Sequence, residues 1–141
     1  MIEVVNAVIV RSGRILLTQR RADKDFAFTF ECPGGKVEGD HENHHSALRR
    51  ELKEEIGIEV DAIREQPIFY RRFQNPVSRA DRADVLVLLY MVMGFAGTPA
   101  PKEGQGLAWF KAWEFRHLTL APAAYAARDE LERLISLSSA Q

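Results

Sequence analysis

The feature that most constrains this chain is a glycine loop joined to a helix-forming segment, Gly34 to Ile58. Gly39-Asp40 supplies a turn, and the sequence predicts that the Asp40 carboxylate caps the first turn of the helix. From about residue 43 to 56 the chain contains good helix formers and neither proline nor glycine. Gly57 then predicts a left-handed stop, so the helix is expected to end just before it.

The predicted helix has two unlike faces. Three apolar side chains follow the helical period and form one stripe: Leu48, Leu52 and Ile56. Beside this stripe lie three carboxylates separated by three and four residues: Glu51, Glu54 and Glu55. Carboxylates so spaced repel one another by roughly a few tenths of a kcal/mol per pair, and the helix dipole disfavours them near the C-terminus. Two interpretations follow: a solvated face balanced by Arg49, Arg50 and Lys53, or a site for a hard divalent cation such as Mg²⁺.

The order of these residues resembles the Nudix box, which belongs to hydrolases of nucleoside diphosphates linked to another group. The matching positions are Gly35, Glu42, Arg50-Glu51-Leu52, Glu54-Glu55 and Gly57-Ile58. There is one departure, because six residues rather than the family's five separate Gly35 from Glu42, which places one extra residue within Gly39-Asp40-His41. The resemblance implies an α/β/α sandwich with a mixed central β-sheet, formed by a single domain that spans residues 1–141.

The resemblance also implies a metal site and a catalytic set. The implied ligands of one to three Mg²⁺ (or Mn²⁺) ions are the carbonyl of Gly35 and the carboxylates of Glu51, Glu54, Glu55 and Glu103. Glu103 lies in Lys102-Glu103-Gly104-Gln105, which matches a loop that brings a further glutamate to the metals in MutT-type members, although by itself it reads as a surface residue. Catalysis is assigned to Glu51, Glu54, Glu103 and Arg50, with Arg50 orienting the carboxylates and one glutamate taking the proton from water.

Six further residues are candidates for substrate contact. Arg20, Arg21 and Lys36 are expected to hold phosphates, although the arginine pair is also compatible with a solvated strand end. Phe30 is a candidate to stack on a nucleobase, and with Phe28 it alternates along the chain, so both are otherwise expected to face the core. Arg82 is a further candidate substrate contact. Ala124 stands where some relatives carry a polar residue that reads the base, which weakens any claim for 8-oxoguanine.

The implied reaction is hydrolysis of a common or modified nucleoside triphosphate to the monophosphate and pyrophosphate, as in the MutT-type subgroup that cleanses nucleotide pools. Two alternatives stay open: hydrolysis of a nucleotide sugar or a dinucleotide, and a nucleotide-binding module without turnover. All three box glutamates are present, which argues against the second alternative.

Charge and cysteine content limit the partners. The net charge is −1, so no general basic field attracts a nucleic acid polymer or an anionic membrane, and a small nucleotide is the expected partner. The one cysteine, Cys32, reads as a packed thiol and excludes a disulfide framework. With an N-terminus that lacks signal-peptide features, this predicts a cytoplasmic protein, either a monomer or a homodimer.

The remaining segments predict strands around this helix and a second helix near the C-terminus. Strands are expected at 3–10, 14–20, within 59–74, at 85–93 and at 107–113, and a helix at 122–137. The apolar run 85–93 reads as a buried central strand. The histidines at 41, 44 and 45 are expected to be exposed residues of the first helical turn, because no third ligand at zinc spacing accompanies them.

Overall fold

The computed structural model describes residues 1–74 and 84–140. Within these ranges the chain forms nine strands and four helices. The strands are β1 Ile2–Val8, β2 Val10–Arg11, β3 Arg14–Gln19, β4 Phe30–Glu31, β5 Gly34–Lys36, β6 Glu59–Ile63, β7 Phe69–Phe73, β8 Val85–Ala96 and β9 Gly106–Lys111. The helices are α1 His44–Ile56, α2 Ala112–Phe115, α3 Pro122–Ala126 and α4 Arg128–Ser138.

The strands form two sheets. The first has five strands in the order β5-β1-β8-β6, with β7 also paired with β8. β1 runs parallel to β8, from Ile2 opposite Val85 to Val8 opposite Met91, whereas β5, β6 and β7 pair antiparallel. In the second sheet β3 pairs antiparallel with β2, β4 and β9. The prediction of a mixed sheet is therefore confirmed, and the long apolar strand lies inside it.

Helices cover both faces of this framework because alternate side chains of each strand point to opposite sides. One core cluster joins alternate residues of β1 and β8 to the apolar stripe of α1: Val5, Ala7, Leu88, Tyr90, Leu48, Leu52 and Ile56. The other joins the intervening strand residues to the C-terminal helices: Val8, Val87, Leu89, Phe115, Ala124, Leu131 and Ile135. This is the α/β/α sandwich that the family resemblance implied.

Several predicted boundaries are corrected. β1 ends at Val8, and β8 extends to Ala96 rather than 93, since Gly94 and Phe95 continue the pairing with β6. The strand predicted at 107–113 stops at Lys111, because Ala112–Phe115 turns into a short helix. The predicted helix 122–137 is two helices, since the backbone of Ala127 leaves helical geometry at φ −95° and ψ 7°. In the described ranges, no helix has both the length and the apolar character needed to cross a membrane.

Candidate active site

The ends of α1 fix where its acidic face lies. The helix begins at His44, and the side chain of Asn43 accepts a hydrogen bond of 2.8 Å from the N–H of Ser46. The prediction that Asp40 caps the helix is wrong, because Asp40 lies in the exposed turn several residues before it. At the other end Gly57 adopts φ 72° and donates its N–H to the carbonyl of Lys53, which confirms the predicted left-handed stop.

The apolar stripe of α1 brings its carboxylates to the glycine loop. Leu48, Leu52 and Ile56 are fully buried, and this orientation of the helix places Glu51 and Glu55 against β5. A Cβ atom added to Gly35 would lie 2.3 Å from the carboxylate carbon of Glu51. A side chain at position 35 would therefore displace the Glu51 carboxylate, and glycine keeps the backbone of this loop open beside the acidic face.

Arg50 organises the outer part of this face. Its Nε and Nη2 donate to the two carboxylate oxygens of Glu42 at 2.7 and 2.9 Å, and its Nη1 donates to Glu51 at 2.9 Å and to Glu54 at 3.5 Å. The hydrogen bonds from Arg50 lower the pKa of Glu42 to about 2. The extra loop residue thus leaves Glu42 in contact with the helix. We call Arg50, Glu42, Glu51 and Glu54 the Arg50 cluster.

A second group of carboxylates surrounds a buried one. Glu55 is 9% exposed and accepts a 3.0 Å hydrogen bond from the N–H of Gly34. The pKa of Glu55 is raised to about 8, mainly by burial and also by the negative charges of Glu31, Glu103 and Glu51, against the lowering effect of the Gly34 N–H. Within the described part of the chain Glu55 forms no ion pair with a cation. We call Glu55, Glu31 and Glu103 the Glu55 cluster.

Glu31 is the residue of this site that the sequence analysis missed. It lies on β4, and Arg20 donates to its two oxygens at 3.1 and 3.3 Å. Burial raises its pKa, while the charge of Arg20 lowers it. In the sequence, the feature that could have indicated Glu31 is a single acidic residue between Phe30 and Cys32, directly before the glycine loop.

The predicted phosphate contacts lie around the carboxylates. Arg20 is paired with Glu31, and its Nε also donates to the carbonyl of Asp25 at 2.6 Å. Arg21 donates to the carbonyl of Glu103 at 2.8 Å and pairs with Asp23. Lys36 is exposed on β5, and its carbonyl accepts a hydrogen bond from Arg50. The two arginines therefore touch the Glu55 cluster directly.

The remaining candidates are more dispersed. Phe30 is partly buried, with its ring edge-on to Phe110 at 5.2 Å. Phe28 is 61% exposed, so the prediction that it faces the core is wrong; its φ of 65° breaks the strand alternation on which that prediction depended. Ala124 is 2% exposed within the second core cluster. Arg82 lies outside the described residues.

The histidines have separate environments. His41 is exposed in the turn before α1. The prediction of an exposed His44 is wrong: it is partly buried, with Nδ1 2.8 Å from the hydroxyl of Tyr90 and Nε2 2.6 Å from a carboxylate oxygen of Glu3. The prediction of exposure is also wrong for His45, which is partly buried and lies 3.2 Å from the carbonyl of Glu65. Cys32 is buried, which raises the pKa of its thiol to about 12 and agrees with the prediction of a packed thiol.

The donor set fits a hard divalent cation. In residues 1–74 and 84–140 no three acidic, imidazole or thiol groups already converge as ligands. Hydrogen bonds from Arg50 and from the Gly34 N–H hold Glu51, Glu54 and Glu55 instead. The negative charges of Glu31, Glu51 and Glu103 raise the pKa of Glu55, and those of Glu54 and Glu103 raise the pKa of Glu51, so these side chains belong to one negatively charged region. Oxygen donors in such a group are what Mg²⁺ and Mn²⁺ prefer.

Comparison with known proteins defines the class. The NUDIX domain family matches residues 2–133, and the chain belongs to the Nudix hydrolase family. It is therefore a hydrolase of a family that generally uses divalent metal ions.

Individual relatives and solved structures show which Nudix hydrolases the chain is similar to. The CTP pyrophosphohydrolase of Escherichia coli K12 is 40% identical over 123 residues, which cover 87% of this chain and 85% of that protein. The 8-oxo-dGTP diphosphatase of Haemophilus influenzae is 39% identical over 107 residues, or 74% and 73% of the two chains. The structure of the E. coli ORF135 protein matches with a TM-score of 0.75 and 37% identity, over all of this chain and 93% of that one. The MutT Nudix hydrolase of Burkholderia pseudomallei matches with a TM-score of 0.76 and 27% identity, over 91% and 95%.

Proposed function

We propose that this protein hydrolyses nucleoside triphosphates to nucleoside monophosphates and pyrophosphate, with Mg²⁺ as the metal. The observation that carries the proposal is the contact of α1 with the glycine loop, in a chain of the Nudix family. The carboxylate of Glu51 lies against Gly35, and that of Glu55 accepts a hydrogen bond from the N–H of Gly34. The relatives named for CTP and 8-oxo-dGTP support a triphosphate as substrate.

The ligands are proposed to be the carbonyl of Gly35 and the carboxylates of Glu51, Glu54, Glu55 and Glu103. When bound, the metal neutralises charge on the phosphate oxygens and lowers the pKa of a coordinated water. Arg50 fixes the rotamers of Glu51 and Glu54, because its guanidinium donates to both.

Other residues of this chain supply binding and proton transfer. Arg20 and Arg21 lie at the edge of the Glu55 cluster, where a planar guanidinium can pair with phosphate oxygens. Lys36 is proposed as a third phosphate contact, and Phe30 as a surface for the base. Glu103 or a box glutamate would take the proton from the attacking water. The water oxygen would bond to phosphorus as the phosphoanhydride bond between the monophosphate and the pyrophosphate breaks.

The test is product analysis over a substrate panel with Mg²⁺. The panel holds the eight common triphosphates, 8-oxo-dGTP, 5-methyl-dCTP, ADP-ribose and a diadenosine polyphosphate. We expect equal amounts of monophosphate and pyrophosphate from one or a few triphosphates, and loss of this activity in Glu54→Gln. Turnover of ADP-ribose or the dinucleotide alone would instead assign the protein to the nucleotide-sugar or dinucleotide hydrolases. Silence over the whole panel, with Mn²⁺ also tried, would contradict the proposal.

A further inference from the structure

Glu103 lies on a segment that has little reason to be ordered by itself. The connection between β8 and β9 spans residues 97–105 and contains two prolines and two glycines. Glu103 is exposed on this connection, yet its charge raises the pKa of both Glu51 and Glu55. Holding a loop carboxylate beside other carboxylates costs conformational entropy and electrostatic energy. Specific contacts must therefore hold it there.

The first contacts join the loop to the C-terminal end of α1. The last carbonyls of a helix have no partner within the helix. Here the N–H of Ala100 donates to the carbonyl of Ile56, and the N–H of Lys102 donates to the carbonyl of Glu55, both at 3.0 Å. The stem of Lys102 also crosses Gly57, where an added Cβ would lie 2.8 Å from its Cε. The loop thus serves as the cap of the acidic helix.

The side chain of Gln105 completes the connection. Its Oε1 accepts a 2.9 Å hydrogen bond from the N–H of Glu103, and its Nε2 donates a 2.9 Å hydrogen bond to the carbonyl of Glu55. A primary amide carries an acceptor and donors on one rigid plane, so one side chain satisfies both backbone groups. The bridge links the backbone of the loop glutamate to the backbone of the buried helix glutamate.

We propose that Gln105 is a positioning residue that holds Glu103 at the carboxylates of α1, so that Glu103 can serve as a metal ligand. This inference depends on the proposed function, in which Glu103 acts at the metal. Arg21 assists from the other side by donating to the carbonyl of Glu103. Gln105 itself touches neither metal nor substrate in this account.

Two variants separate the parts of the bridge. Gln105→Met keeps the length of the side chain and removes both hydrogen bonds. Gln105→Glu keeps the acceptor for the N–H of Glu103 but sets a carboxylate against the carbonyl of Glu55. We expect each to weaken metal binding by about 10-fold, the lower end of what loss of a supporting contact costs at metal sites. Gln66→Met is the matched control, since Gln66 is exposed between β6 and β7.

The experiment measures Mn²⁺ affinity of the full-length protein by the electron paramagnetic resonance signal of free Mn²⁺, with melting temperatures confirming that each variant is folded. Gln105→Met and Glu103→Gln should each weaken binding, and the double variant should bind no more weakly than Glu103→Gln alone. Gln66→Met should bind like the wild type. Wild-type affinity in both folded Gln105 variants would overturn the inference, as would fully additive losses in the double variant.

Pyrophosphate release in the same samples distinguishes this inference from the proposed function. If the wild type binds Mn²⁺ but hydrolyses no triphosphate, the proposed function fails, and the affinities still decide the role of Gln105. If the wild type is active and Glu103→Gln impairs it while Gln105→Met changes neither affinity nor rate, the inference alone fails.

Discussion

The Arg50 cluster and the Glu55 cluster belong to one acidic site but are stabilised in opposite ways. In the Arg50 cluster one guanidinium donates to three carboxylates, and the pKa of Glu42 falls to about 2. In the Glu55 cluster the central carboxylate is buried beside other negative charges, and its pKa rises to about 8. At neutral pH, without metal, Arg50 holds the first cluster. In the second, Arg20 pairs with Glu31, whereas the buried Glu55 is held by a proton. A divalent cation must therefore compete with Arg50 for some ligands and with a proton for another.

Removing a ligand should have the largest effect on activity. Glu54 is exposed and only weakly held by Arg50, so Glu54→Gln should leave the fold intact. We expect the rate of pyrophosphate release to fall on the order of 10²–10⁴-fold, the range for loss of a positioned proton-transfer group. Steady-state kinetics with saturating Mg²⁺ measure this. Glu59→Gln is the control, because Glu59 pairs with Lys53 outside the site, and an equal loss there would contradict the assignment.

Changing Arg50 tests the organisation of the first cluster alone. Arg50→Lys keeps the charge but loses the planar fork that contacts Glu42, Glu51 and Glu54 together. We expect kcat/KM to fall about 10–100-fold, as with other supporting contacts at metal sites. The titration of Glu55 should change little, since it has no contact with Arg50. Retention of full activity would show that the Arg50 cluster needs only a positive charge.

Stability against pH tests the second cluster. The pKa of Glu55 is about 8 in the folded protein against an ordinary 4.5, so the folded state binds one proton more between these values. Without metal, the free energy of unfolding should therefore fall with rising pH by about 1.4 kcal/mol per unit from this group. Glu55→Gln mimics the protonated form and should match the wild type near pH 5 but exceed its stability near pH 8. Urea unfolding in chelator measures the difference, and a pH-independent difference would contradict the assignment.

Changing the N-terminal cap of α1 should have the smallest effect, because the cap contributes only to the stability of the helix that carries both clusters. Asn43→Ala removes the side-chain acceptor for the N–H of Ser46 and should cost about 1 kcal/mol. Asp40→Ala should cost almost nothing, since Asp40 is exposed before the helix. Thermal unfolding of the two variants compares them directly, and the reverse order would restore Asp40 as the cap.

The sequence predicted what local pattern determines. The helix near 43–56, its stop at Gly57 and its apolar stripe follow from periodicity and glycine geometry, and the structure confirms them. The buried strand at 85–93 follows from its apolar run. The sandwich and its mixed sheet required the family resemblance, since the parallel pairing of β1 with β8 is set by tertiary contacts.

The features that the sequence did not predict depend on contacts distant along the chain. Glu31 joins Glu55 only because β4 and β5 carry the glycine loop past α1. Gln105 donates a hydrogen bond to Glu55, which lies 50 residues earlier in the chain, and no local sequence pattern indicates such a contact. The prediction that Phe28 faces the core was wrong for a local reason. Its left-handed backbone interrupts the alternation of side chains that the sequence suggests.

Calorimetric titration with Mg²⁺ at pH 6.5, in two buffers that differ in ionisation enthalpy, tests whether a metal displaces both an arginine and a proton from this site. It gives both the affinity and the number of protons released by the wild type, Glu54→Gln and Glu55→Gln. We expect weaker binding in both variants, and about one proton fewer released by Glu55→Gln than by the wild type. Wild-type affinity in both variants, or equal proton release with and without the Glu55 carboxylate, would contradict the division of this site into an arginine-held and a proton-held part.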